Sequence, residues 1–189
     1  MSSGVTVSNE AKTVYEEVKK DKKYRYIIYH IKDEKVIDVE KTADRSATYP
    51  QFLEELQQFK NECRYCVFDF PASIAVEGAS EKGSMSVDRL VLMTWCPELA
   101  RIKQKMLYAS SYDALKKALV GVYKYVPGDR LVLMTWCPEL ARSKQKMLYA
   151  SSYDALKKAL VGVDKYVQAC DYEEASQEAL EETFRKGGK

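Results

Sequence analysis

The sequence predicts an α+β chain in which helices pack on a β-sheet, and three observations carry that reading. Runs of β-branched and aromatic residues bounded by polar turns, such as "YRYIIYHI" and "RYCVFDF", mark strands. Stretches with apolar residues at helical spacing lie between them. Finally, blocks 88–126 and 129–167 are near-copies that differ only at Ile102/Ser143 and Tyr123/Asp164, and each reads as an α/β-like strand–helix–strand unit. Such a unit needs a neighbouring sheet to bury its faces, so one domain spanning 1–189 is expected, with one copy in the core and the other appended.

The elements follow in order. Ser8 is placed to cap a first helix that presents Ala11, Val14, Tyr15 and Val18 on one face before the basic run "KKDKK" ends it. "YRYIIYHI" and "KVIDVEKT", joined by "KDE", predict a hairpin, and "YPQFLEELQQF" a second helix through Phe52, Leu53, Leu56 and Phe59. "RYCVFDF" is a third strand, and "PASIAVEGASEKGSMS" predicts an exposed loop from its glycine and serine. Each repeat then opens with "RLVLMTW", apolar enough for a central strand, and continues into a helix started by Pro97 or Pro138. The spacings Ser110 to Asp113 and Ser151 to Asp154 fit a capping box that restarts or kinks that helix, and "KYV" is a short strand after it. A last helix is expected to be capped by Asp171 with Glu174 and to bury Ala175, Ala179, Leu180 and Phe184.

Composition narrows the function. With 46% hydrophobic and 31% charged residues the chain reads as globular, and a net charge of +2 is too small to make the whole molecule seek polyanions. The opening "MSSGVTVSNEAK" lacks the apolar run of a signal peptide and no stretch reaches the length of a membrane span, so a cytosolic location with reduced thiols is expected. Cys63 and Cys66 in "CRYC" fall three apart in a strand and so face opposite sides. With one histidine and no second ligand pair, no metal or other cofactor is expected. No glycine-rich phosphate loop, "HExxH" or nucleophile elbow is present, and His30 stands alone, so the chain is not expected to be an enzyme. Nucleic-acid binding is disfavoured because the tyrosines are scattered rather than interleaved with lysines on one sheet.

"MSSGVTVS", "CRYCVFDF", "LVLMTWCPE", "KQKMLYASSYDALKKALVGV" and "DYEEASQEALEE" occur in an order and spacing that together resemble the actin-depolymerising factor and cofilin family. Removing one repeat with its Pro127-Gly128 joint leaves 148 residues, about the size of one such domain. The resemblance implies a mixed central sheet flanked by helices, with a long kinked helix that enters a cleft on actin. It also implies binding to actin monomers and filaments, with severing or depolymerisation of the filament. A non-severing fold relative, or an inactive variant impaired by its duplication, is the alternative. The implied location is the cytoplasm and cytoskeleton, with the nucleus as an alternative.

Matched position by position, Lys103 and Lys105 stand at the family's actin-contacting basic pair, with Met106 beside them; Lys144, Lys146 and Met147 repeat the set. Arg185 matches a filament-contacting basic residue, but Glu182 stands where the family often has another positive charge. Ser3, before Gly4 and Val5, matches a regulatory phosphorylation site, which implies a kinase and a phosphatase as partners. "KKDKK" and the helix lysines offer charge for phosphoinositide head groups. The residues themselves put Leu99, Ile102 and Met106 on one helical face, with Arg101 and Lys105 in a neighbouring row and Lys103 on the exposed side. Spacing alone favours a core-facing stripe with a solvated basic face over a groove-binding ridge, and the resemblance reverses that order.

Both copies want the place beside the third strand. Seating copy two there lengthens one loop and costs about 1 kcal/mol of closure entropy, against about 3 kcal/mol for seating copy one. Burial of Ile102, which copy two lacks, offsets this by up to about 1.5 to 3 kcal/mol. Two further arrangements are open: "GVYKYV" folding back after the Pro127-Gly128 turn to widen the sheet, or exchange of duplicate segments between molecules.

Overall fold

Helix α1, Asn9–Lys19, forms where expected: Ser8 accepts a hydrogen bond from the Ala11 amide at 3.0 Å, and Ala11, Val14, Tyr15 and Val18 are its buried residues. The coordinates are a computed structural model, which describes residues 4–75, 84–120, 131–136, 163–169 and 171–185. Before α1, the two-residue strand β1, Thr6–Val7, runs parallel to β3.

The predicted hairpin is β2, Tyr24–Lys32, and β3, Val36–Asp44. Its turn holds Asp33 and Glu34 at φ 51° and 56°, the left-handed pair whose twist matches a two-stranded ribbon. Helix α2, Tyr49–Leu56, begins on a full capping box in which Thr48 and Gln51 satisfy each other's amides. It ends at Leu56, so Phe59 packs on the core from beyond the helix.

Strand β4, Arg64–Ala75, pairs with β5, Ser84–Trp95, through twelve antiparallel positions. This corrects the expected loop, because 71–75 and 84–87 continue the ladder; a partner strand outweighs the turn propensity of serine and proline there. Residues 76–83 lie outside the described residues.

Helix α3, Ile102–Val120, differs from expectation at two points. It starts five residues after Pro97, because the Ala100 amide closes a turn on the Pro97 carbonyl at 3.1 Å. The Ser110–Asp113 box does not form either. Ser110 donates back to the Leu107 carbonyl at 3.1 Å and Asp113 pairs with Lys117 at 2.9 Å, so the helix runs through. The corresponding box at Ser151–Asp154 and the helix from Pro138 lie outside the described residues, as does "GVYKYV".

Copy two enters the sheet as β6, Leu131–Trp136, and β7, Val163–Ala169, which contains the second "KYV". The strand order is β1-β3-β2-β4-β5-β6-β7, with β5, β6 and β7 mutually parallel, giving a mixed seven-stranded sheet flanked by helices. Each residue from Leu90 to Thr94 faces its own duplicate, Leu131 to Thr135. The two "RLVLMTW" strands are therefore neighbours: β5 of copy one lies beside β4, and β6 of copy two fills the other edge of β5. Loop entropy and Ile102 burial bear on a choice between copies only if both compete for one slot. Neither decides the arrangement, since Ile102 is 64% exposed and each strand has its own place.

The last helix, α4, is Gln177–Arg185. Asp171 caps only a turn, accepting from the Glu174 amide at 2.8 Å. Ser176 starts the helix, accepting from the Ala179 amide at 3.2 Å. Ala175, Leu180 and Phe184 are buried, while Ala179 is half-buried.

Alternation along the strands separates two core layers. Tyr65, Val67, Leu90 and Leu92 pack with α1 and α3, whereas Phe68, Phe70, Val91, Met93, Val132 and Met134 pack with α2 and α4. Cys63 and Cys66 fall in opposite layers, as their spacing predicts. A buried carboxylate, Asp69 within β4, is held by Lys22, just before β2, at 2.9 Å and by Arg45, just after β3, at 2.7 Å. Among the described residues no helix is long and apolar enough to cross a membrane.

Candidate docking ridge on helix α3

Helix α3 is anchored by its inner stripe. Tyr108, Tyr112, Leu115 and Leu119 are buried, the Tyr108 hydroxyl accepts from the Ile31 amide at 2.9 Å, and Tyr65 donates its hydroxyl proton to the Tyr108 carbonyl. Burial pushes the Tyr108 phenol up to about 12, so it stays protonated through the neutral range. With that face committed to the sheet, the other stripe points outward. Leu99 is 70% exposed, Ile102 64% and Met106 54%, and they line the turn before the helix and its first two turns. The core-facing alternative is thereby excluded for these three side chains.

The basic residues around the ridge divide. Lys103 is exposed and its ammonium group sits 2.8 Å from both carboxylate oxygens of Glu34, on the β2–β3 turn. Arg101 is exposed beside it. Lys105, expected in the same contact row, is buried to 7% exposure and donates to the Glu98 carbonyl at 2.9 Å, where it fastens the pre-helical turn to α3. Farther along, burial lowers the Lys116 ammonium from its ordinary value.

The N-terminal segment converges on this region. β1 packs against α3, and the Thr6 amide donates to the Lys35 carbonyl at 2.9 Å, one residue past Glu34. Gly4 adopts φ 71° with open space where a side chain would stand, so this backbone position favours glycine for its conformation rather than for close packing. Ser3, Lys144, Lys146 and Met147 lie outside the described residues. Arg185 is the last residue of α4, on the opposite face of the sheet from α3, so it is not brought together with the ridge.

Sequence reasoning missed the aromatic shoulder of the ridge. Trp95 and Trp136, duplicates of one another, stack at 4.9 Å, and Tyr172 lies 4.9 Å from Trp136 and is 45% exposed. With Pro97, Glu98, Leu99, Gln57 and Lys60, Trp95 and Tyr172 line a groove of about 290 Å³. No periodicity could have placed Tyr172 there, because its turn meets the strand ends only once the sheet is assembled. The arrangement leaves an apolar helix edge, flanked by the exposed Arg101 and Lys103, in contact with solvent. Among the described residues no group of three or more histidines, cysteines, aspartates or glutamates is placed to hold a metal ion.

Comparison with known proteins agrees with the fold. The family model described as cofilin/tropomyosin-type actin-binding protein matches residues 4–129, which take in the first repeat block, and 122–185, which take in the second. A cofilin of Mycosarcoma maydis is 40% identical over 129 residues, 68% of this chain and 86% of that relative. The crystal structure of Streptomyces griseoflavus cofilin superposes with a TM-score of 0.60 at 27% identity, covering 98% of both chains. The solution structure of an ADF-like protein of Caenorhabditis elegans gives 0.62 at 25% identity, covering 100% of this chain and 98% of that one.

Proposed function

Because this chain belongs to the family of cofilin/tropomyosin-type actin-binding proteins, we propose that it binds actin monomers and filaments through the α3 ridge of copy one. The observation that carries the reading is the exposure of Leu99, Ile102 and Met106 on a helix whose opposite stripe is fixed to the sheet. A helix laid into a groove draws affinity from apolar anchors desolvated at the centre of the contact, with charges at the rim setting orientation and approach rate. Arg101 and Lys103 are the rim charges. Lys103 must leave Glu34 to engage actin; that pair is exposed on both sides, so its release costs little. Lys105 acts by holding the turn that presents Leu99, not by touching actin. Lys144, Lys146 and Met147 of copy two repeat the set in sequence.

On a filament the protein acts without covalent chemistry. Preferring one subunit arrangement, it shifts the filament toward that arrangement and strains the boundary with bare segments, which promotes severing and subunit loss. Arg185 supplies a filament contact on the far face and the exposed Glu182 weakens it, so monomers are bound more tightly than filaments. A phosphate on Ser3, placed by a kinase and removed by a phosphatase, adds a charge of about −1.5 to −2 next to Gly4 and lowers affinity by repulsion. Phosphoinositides compete for the basic surface, and the site of action is the cytoplasm and its cytoskeleton.

The test is a titration of fluorescent actin monomers with the double variant Ile102→Ser and Met106→Ala. Affinity should fall roughly 30-fold, as for a hot-spot pair worth about 2 kcal/mol. Stability should change by no more than about 0.5 kcal/mol, because both side chains are already in water. Unchanged affinity would overturn the site.

A further inference from the structure

Cys63 and Cys96 stand one residue beyond the last ladder pair of the β4–β5 hairpin, Arg64 with Trp95, each just off the end of its own strand. Both belong to the core layer under α1 and α3, at 0% and 2% exposure. Cys66 lies in the opposite layer, facing Met93 across the ladder, and cannot serve as the partner. The sequence contains a rival: Cys137 in copy two occupies the same place in "TWCPE" as Cys96 in copy one.

We propose that Cys63 and Cys96 form an oxidant-sensitive dithiol site that closes into an intramolecular disulfide, and that copy one alone supplies the second sulfur. With hydrogen peroxide as oxidant, one sulfur attacks a peroxide oxygen to give a sulfenic acid and water. The other sulfur then displaces the oxygen from that sulfenic acid, forming the S–S bond and a second water. Two thiols and one peroxide become one disulfide and two waters, and the two electrons lost by sulfur enter the broken O–O bond. The neighbouring Cys96 thiol and burial push the Cys63 thiol up and hold it protonated, so closure proceeds through transient opening of the strand ends rather than from a standing thiolate. The disulfide ties Cys63 to the residue before Pro97, where the turn leading to the ridge begins.

The experiment exposes the full chain to hydrogen peroxide, blocks remaining thiols, and maps non-reduced tryptic peptides by mass. Cys63 falls in residues 61–64 and Cys66 in residues 65–82, which separates those two. Residues 90–101 and 131–142 are identical peptides, so variants must tell Cys96 from Cys137. The wild type and Cys137→Ala should give the Cys63 peptide joined to "LVLMTWCPELAR", two mass units lighter than the sum of the thiol forms. Cys96→Ala and Cys63→Ala should lose it. A companion thermal melt should show the oxidised wild type and Cys137→Ala unfolding at higher temperature than their reduced forms. Since Cys137→Ala leaves both proposed sulfurs in place, the assignment does not rest on how well Cys96→Ala folds. A crosslink lost in Cys137→Ala would overturn the proposal. So would its absence from peroxide-treated, folded wild type when the denatured chain forms disulfides under the same treatment.

Discussion

Ser8 makes two hydrogen bonds with one hydroxyl: it accepts from the Ala11 amide at 3.0 Å and donates to Asp38 Oδ1 at 2.7 Å. The hydroxyl of Ser8, followed by the Val39 amide at 3.0 Å, holds the Asp38 carboxyl below its ordinary 3.8. A carboxylate with a depressed folded-state value contributes stability that is fully present above the unfolded value and is lost as pH falls through the folded one. Asp38→Asn should therefore cost about 1 kcal/mol at neutral pH, and the gap from wild type should shrink below about pH 4 in urea melts. The Ser8 cap was legible in the sequence, because a serine ahead of a periodic apolar stripe has few other uses. Its carboxylate partner was not, since Asp38 arrives through the nonlocal pairing of β1 with β3. Lys105 shows the same limit. Its spacing from Arg101 was readable, but the turn of its ammonium group back to Glu98, seven residues earlier, depends on where the pre-helical turn closes.

Helix α3 carries apolar residues on two sides, and its period alone could not say which side was core. The stripe Tyr108, Tyr112, Leu115 and Leu119 won because Tyr65 and Ile31 offer it hydrogen-bond partners as well as surface. The outer stripe of Leu99, Ile102 and Met106 is left in solvent. Leu115→Ala should lower stability by about 2 to 5 kcal/mol in a denaturant melt, the usual cost of a cavity at a fully buried leucine. Leu115 itself makes no contact at the ridge, so the folded fraction should keep its affinity for actin monomers. The same logic explains the Ser110 box. A serine three residues before an aspartate can cap a new helix or bond back into an existing one, and continuous packing against the sheet selects the second.

At the scale of the whole molecule, the strands and helices of the α+β layout were visible in the residue pattern, but the place of the second copy was not. Counting loop entropy presupposes that identical strands compete, whereas β5 has two edges and the copies take adjacent positions. Val132, Met134 and Trp136 join the core layer already occupied by Val91, Met93 and Trp95, so the addition extends that layer sideways. Deleting residues 127–167 leaves "GVYKYV" joined to "QAC", nearly the sequence that leads through β7. The shortened chain is expected to keep a single cooperative melt and unchanged affinity for actin monomers; loss of cooperativity would show that copy two is integral to the sheet.

The matched register of β5 and β6 has an outcome at the level of the gene. Because every position from Leu90 to Thr94 meets its own likeness across the ladder, splicing in another whole unit would offer β6 the same kind of partner on its other edge, with β7 displaced outward by one place. Such a chain could lengthen by discrete multiples, each insertion presenting an edge suited to the next, so that amplification of the coding segment becomes stepwise widening of the protein.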